Sequence, residues 1–299
     1  MAGCDSWLTK PNLYSAVTVV VSTRRGEPIP DASLTLYTGQ RPMGYAHTGS
    51  DGRYVFEQVP QGNYGIFAIP PAGYSAIEDL IGGPSSIFRD KLIVAEDTLA
   101  PVRFTYLKEG PGTLVARVAQ PDGTPIVGAP VTVYSPTTVN ATATTDATGT
   151  VTFTNIPFGV HGLNVARPLL YRDYRTPGDS LSTYRDNLIV DAGSNDTTTF
   201  HLAKCAGTVR ATAVDGNGVP VPGVTAAFYT STQQLAVLAT GSDGTVSYSQ
   251  MPCVIQVGVI ITPAPGYSAP SGRGFRFVDG ITLTNGARVD VTFHLVKTS

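Results

Sequence analysis

Four histidines, three cysteines, two adjacent carboxylate pairs and a series of Asp-Gly steps are the residues of this 299-residue chain with the means to do chemistry. A zinc site needs ligands in close pairs, but His47 and His161 stand apart and no His-x-His or Cys-x-x-Cys spacing occurs. His201 and His294 each lie between Phe and Leu in an FHL triplet, where strand alternation turns them to an outer face. The Asp-Gly steps at Asp51, Asp122, Asp215, Asp243 and Asp279 lack the Asp-x-Asp-x-Asp-Gly loop and later Glu of a calcium site, and read as turn formers. Glu78-Asp79 and Glu96-Asp97 are neighbours, so an extended chain points them to opposite faces, unlike a glycosidase pair. There is no Gly-x-Ser-x-Gly elbow, phosphate loop or dinucleotide fingerprint. These residues predict no catalysis, no metal, no cofactor and no small-molecule substrate.

The elements that carry them recur. Residues 27–38 read EPIPDASLTLYT, residues 124–135 TPIVGAPVTVYS and residues 219–230 VPVPGVTAAFYT, at offsets of 97 and 95. Gly52, Gly149 and Gly244 keep those offsets, as do Phe56, Phe153 and Tyr248, then Pro60, Pro157 and Pro252. FRDKLIV at 88–94 matches YRDNLIV at 184–190 and, more loosely, FVDGITL at 277–283, and each copy closes on Phe104, Phe200 or Phe293. A period near 95 residues is domain-sized rather than solenoid-sized. The chain therefore divides into a tail (1–13) and domains at 14–109, 110–204 and 205–299, with linkers short enough to predict a rod-like array.

Composition agrees. Hydrophobic residues are 42 % and charged residues only 14 %, against about 25 % charge in ordinary domains. A net charge of −2 gives no basic field for nucleic acid. Val17, Val19 and Val21 alternate with small polar residues, as do Leu34 and Leu36, Tyr64, Ile66 and Ala68, and Val102, Phe104 and Tyr106. About seven such strands per copy, without helical periodicity, predict an all-β fold of three tandem Ig-like antiparallel β-sandwiches.

The stretches PIPDASLTLY, DGRYVF, VPQGNY and PPAGY resemble the carboxypeptidase-regulatory and transthyretin-like family, with collagen-adhesin B-type repeats as close relatives. The resemblance covers the first two-thirds of each copy and speaks to fold, since such modules serve as spacers, stalks, sugar binders and docking domains. Many B-type repeats carry a Lys–Asn isopeptide bond. Here the opening strands lack Lys, and the closing strands around Phe104, Phe200 and Phe293 offer no Asn, so none is expected. In this fold, strands one and five of a copy are expected to run parallel with one strand between them. That puts Cys205 and Cys253 at one end of the third domain, as a disulfide or as two buried free thiols. The third cysteine, in Met1-Ala2-Gly3-Cys4-Asp5, resembles the end of a bacterial lipoprotein signal, although basic and apolar regions do not precede it. Lipidation of Cys4 or a cysteine in a plain tail are the two readings. A lipid anchor with one disulfide would place the chain outside the cytoplasm, on the periplasmic face of a membrane.

The segment before each late motif differs between copies. In the first it includes Leu80; in the second it gathers Tyr171, Arg172, Tyr174, Arg175, Tyr184 and Arg185; in the third it holds Arg273 and Phe275. Tyr and Arg are enriched at binding hot spots, whereas the bland reading has them plug the sandwich end. Together with Trp7 and Leu8 in the tail, these residues predict a non-catalytic docking subunit. It would hold a protein partner in a membrane-associated complex, of which a bacterial photosynthetic assembly is one example. The alternatives are a carbohydrate- or surface-binding adhesin module and a phage or secreted decoration protein.

Overall fold

The computed structural model describes residues 14–77, 87–95, 100–136, 138–174, 183–253, 255–270 and 274–298. The first sandwich has eight strands: β1 (Tyr14–Thr23), β2 (Ser33–Thr38), β3 (Arg41–His47), β4 (Arg53–Pro60), β5 (Gly62–Ile69), β6 (Tyr74–Ser75), β7 (Phe88–Val94) and β8 (Val102–Lys108). One sheet has the order β4-β1-β8-β6 and the other β3-β2-β5-β7. The second repeats this with β9 (Gly112–Ala119), β10 (Pro130–Ser135), β11 (Thr138–Thr144), β12 (Thr150–Ile156), β13 (Gly159–Val165), β14 (Tyr171–Asp173), β15 (Tyr184–Val190) and β16 (Asn195–Lys204). The third has β17 (Ala206–Val214), β18 (Thr225–Thr230), β19 (Gln234–Ala239), β20 (Thr245–Pro252), β21 (Val257–Thr262), β22 (Tyr267–Ser268), β23 (Arg276–Ile281), β24 (Arg288–His294) and β25 (Val296–Lys297). There the closing strand is broken in two, and β25 pairs with β22 as the end of β8 pairs with β6.

The eighth strand of each copy, β6, β14 or β22, is too short to leave a period-two pattern, so the sequence predicts seven. The sheets are antiparallel with one exception. The first and last long strands of each copy pair in parallel, Val19 with Val102 and Val21 with Phe104 in the first sandwich. The expected route to the cysteine pair is corrected in a related way: strand one (β17) and strand five (β21) lie in opposite sheets. Cys205 and Cys253 approach because β17 is antiparallel to β20, which sets Ala206 opposite Pro252.

Alternation builds three separate cores. In β1, Val17, Val19 and Val21 are fully buried and face Leu34, Ile66, Phe56 and Phe104 from the other strands. Phe200 with Leu114 and Leu163, and Phe293 with Val209 and Phe228, occupy corresponding places in the other two. A polar group recurs inside each core. The hydroxyls of Thr48, Thr145 and Thr240 accept a hydrogen bond from the amides of Ala32, Ala129 and Val224 and donate to the carbonyls of Ile29, Ile126 and Val221. Each buried hydroxyl thereby satisfies two main-chain groups that would otherwise be orphaned.

Candidate functional site

The turn after the first strand reads Arg24-Arg25-Gly26 in the first copy, where the others have Pro121-Asp122-Gly123 and Gly216-Asn217-Gly218. Gly26 takes a φ of 83°, closing the turn so that both guanidinium groups project toward the second sandwich. Arg24 Nη2 donates to Asp191 Oδ1 at 3.0 Å, to Asp196 Oδ2 at 2.9 Å and to the Ile189 carbonyl at 3.2 Å. Arg25 donates to Asp191 Oδ1 at 2.8 Å and to the Ala192 carbonyl at 2.5 Å. The Asp191 side chain is 1 % exposed, so its charge is desolvated and held by two cations. The main chain joins in: Ala192 N donates to Lys108 O, and Gly193 N to Pro111 O, across the linker. These four charged side chains were not singled out from sequence. The signal was a departure from the repeat, since neither other copy has a cation in that turn.

The second joint is built differently. A single residue, Cys205, separates β16 from β17. Its amide donates to Leu170 O of the second sandwich, and its carbonyl accepts from Cys253 N of the third. Cys205 is buried, and its Cα lies 5.5 Å from that of Cys253, the spacing of a disulfide.

The proposed docking residues divide. Cys4, Trp7, Leu8, Leu80, Arg175 and Arg273 lie outside the described residues. Tyr171 and Arg172 form a strand, β14, not a loop, and Tyr171 packs against the second core. Arg185 lies on β15 with its guanidinium 5.7 Å from the centre of the Phe200 ring, as Arg89 lies 5.1 Å from that of Phe104. Both are taken up by their own sandwich. Tyr174, Tyr184 and Phe275 remain accessible, at 37, 40 and 41 %.

The late motif has a structural explanation. Asp90-Lys91, Asp186-Asn187 and Asp279-Gly280 are bulges opposite Gly65, Gly162 and Gly258, with φ of 58°, 58° and 70° at their second residues. Tyr37, Tyr134 and Tyr229 lie over those glycines, where a Cβ at Gly65 would be 2.8 Å from the Tyr37 ring. The Tyr134 hydroxyl donates to Asp186 Oδ1 at 2.5 Å. Burial, that hydrogen bond and the Asp186 charge push the Tyr134 phenol up to about 12. Burial first, then Asp90 or Asp279, raises Tyr37 and Tyr229 as well.

Of the other chemical candidates, Glu78-Asp79 and Glu96-Asp97 lie outside the described residues, and several of the rest hold their own sandwich together. His161 Nε2 is 2.8 Å from Pro157 O, the bond that the Tyr64 hydroxyl makes to Pro60 O in the first copy. His47 pairs with Asp31 at 3.1 Å, and His294 is exposed. The Asp-Gly carboxylates accept amides of their own turns, Asp51 from Arg53, Asp122 from Thr124, Asp215 from Asn217 and Val219, and Asp243 from Thr245. Among the described residues no cluster of His, Cys, Asp and Glu is arranged to hold a metal ion. The cleft of about 540 Å³ beside the first joint is lined by Thr113, Thr152, Asn155, Ser194 and Asn195 and has no ionisable side chain.

No family model and no curated protein matches the chain. Among solved structures it is similar to the TIE protein of Bacillus anthracis, at 17 % identity over 95 % of this chain and 51 % of that one, with a TM-score of 0.35. It thus spans about half the length of that protein. A Streptococcal ancillary pilin is 14 % identical over 95 % of this chain and 99 % of its own, with a TM-score of 0.41. A minor pilin of Streptococcus agalactiae is 15 % identical over 63 % of this chain and 97 % of its own, with a TM-score of 0.40.

Proposed function

We propose that this chain is a non-catalytic structural and docking module whose first two sandwiches are held as one body. One observation carries the reading. Arg24, Arg25, Asp191 and Asp196 converge on a joint between sandwiches and not on a cleft that could take a substrate. A protein that acts on a small molecule directs its desolvated charges at the reacting atoms. This one spends them on holding its own domains in a fixed relation. The finer reading is an extracytoplasmic subunit that stabilises a membrane-associated protein assembly, with the Cys205–Cys253 bridge and an acylated Cys4. The Cα spacing of the pair supports the bridge, while Cys4 lies outside the described residues. Tyr174, Tyr184 and Phe275 are its accessible aromatic contacts.

The carbohydrate-binding alternative would use the aromatic surface of the first sandwich, where Phe67 is exposed beside the half-buried Tyr37 and Phe88, 4.7–5.3 Å apart.

Residual dipolar couplings test the one-body reading. A single alignment tensor for sandwiches one and two is expected, and separate tensors would overturn it. For the docking reading, photo-crosslinkers at positions 174 and 184, in the native host, should join the chain to one defined membrane protein. No crosslink from either position would sink it.

A further inference from the structure

The two joints are built by different chemistry. The first linker runs three residues, Glu109 to Pro111, between β8 and β9, and charged side chains clamp it from both sides. The second is Cys205 alone. That residue is shared between two domains: its N–H belongs to the second sandwich through Leu170, and its carbonyl and sulfur belong to the third through Cys253. The next residue is tied as well, with Ala206 N donating to Asn285 Oδ1 at 3.1 Å and Gly286 N donating to Ala206 O. Among the described residues no ion pair crosses this joint, in contrast to the first.

We propose that the Cys205–Cys253 bridge is a redox lock on the joint between the second and third sandwiches. The inference rests on the bridge being formed, which is part of the function proposed above. A dithiol reductant opens the lock by exchange. Its thiolate attacks the sulfur of the half-buried Cys253, and Cys205 leaves as a thiolate that takes up a proton. The reductant's second thiol then attacks its own sulfur in the mixed disulfide and releases Cys253. The protein gains two electrons and two protons, and the reductant departs as a cyclic disulfide. With the bridge open, the one-residue linker keeps its hydrogen bonds but loses the covalent tie that fixes Cys205 to β20.

Lys204 offers a direct readout, because it is exposed and immediately precedes Cys205, so trypsin cuts there once the local chain can open. The full chain is digested oxidised, after treatment with dithiothreitol, and as Cys253→Ala. Non-reducing peptide mapping runs alongside, and cleavage after Lys108 in the first joint serves as the internal control. Opening the bridge is expected to speed cleavage after Lys204 at least tenfold, leave cleavage after Lys108 unchanged, and release an intact 205–299 fragment. Equal rates with the bridge mapped as present would overturn the lock while leaving the bridge itself standing. Free thiols in the oxidised protein would overturn the bridge, and the lock with it. Cuts scattered through 205–299 on reduction would also overturn the lock, because the bridge would then be holding the third sandwich together rather than its joint.

Discussion

The guanidinium of Arg25, in the first sandwich, lies 2.8 Å from the carboxylate of Asp191 in the second, and that carboxylate is closed off from water. Two predictions of opposite severity follow from which side of the pair is removed. Asp191→Asn leaves Arg24 and Arg25 partly exposed and able to hydrate, so it costs about 1–3 kcal/mol of the coupling between sandwiches. Arg24→Ala with Arg25→Ala strands a desolvated carboxylate and costs more, about 3–5 kcal/mol. Calorimetry of the three proteins orders them. An Asp191 variant less stable than the double arginine variant would contradict the assignment.

Thr145→Val removes a hydroxyl that serves two main-chain groups in the second core. It leaves Ala129 N and Ile126 O without that partner, at a cost of about 1–3 kcal/mol. Thr145→Ser keeps both bonds and recovers most of the loss. Chemical denaturation of the two variants measures the difference.

Tyr134 is the phenol expected to titrate late. Burial, its hydrogen bond to Asp186 and the Asp186 charge hold it at about 12, above the unfolded value of about 10. Its neutral form therefore stabilises the fold fully below about pH 10, and that contribution is lost between about pH 10 and 12. Phenolate absorbance should show a late step that Tyr134→Phe abolishes.

Asp146 shows the reverse sign. The Thr148 hydroxyl and the amides of Thr150 and Thr148 hold its carboxyl below the usual range. The turn keeps that contribution above the unfolded carboxylate value near 3.9 and loses it as pH falls through the lower folded value. Hydrogen-exchange protection at Thr148 and Thr150, taken relative to the intrinsic exchange rate at each pH, should fall only below about pH 4, and Asp146→Asn should remove that acid step.

Much of this was legible in the repeat itself. Val17, Val19 and Val21, and Phe104, Phe200 and Phe293, face the core as their spacing dictates, because a half-buried strand writes its burial into every second residue. Thr48, Thr145 and Thr240 keep the same 97 and 95 offsets, yet their burial is not visible in composition, since Thr is common on any strand. The joint was hidden for another reason. Arg24 and Asp191 are 167 residues apart, and local periodicity says nothing about which turn meets which loop of a neighbouring domain. Tyr171 and Arg185 stood out by residue type, which suits an interface, but their places in β14 and β15 come from strand pairing that residue type does not reveal.

The parallel pairing of first and last strands decides how each sandwich bears mechanical load. The chain enters at Tyr14 and leaves at Lys108, at opposite ends of two adjacent strands running the same way. Tension on the ends drags those strands lengthwise past each other, so the ladder is sheared as a whole and does not unzip bond by bond. The ladder runs only from Val19 to Thr23 in the first sandwich, but from Thr113 to Ala119 and from Thr208 to Val214 in the others. Under a steady pull on the chain ends the first sandwich is expected to give way before its neighbours, yielding extra length while the two longer ladders hold.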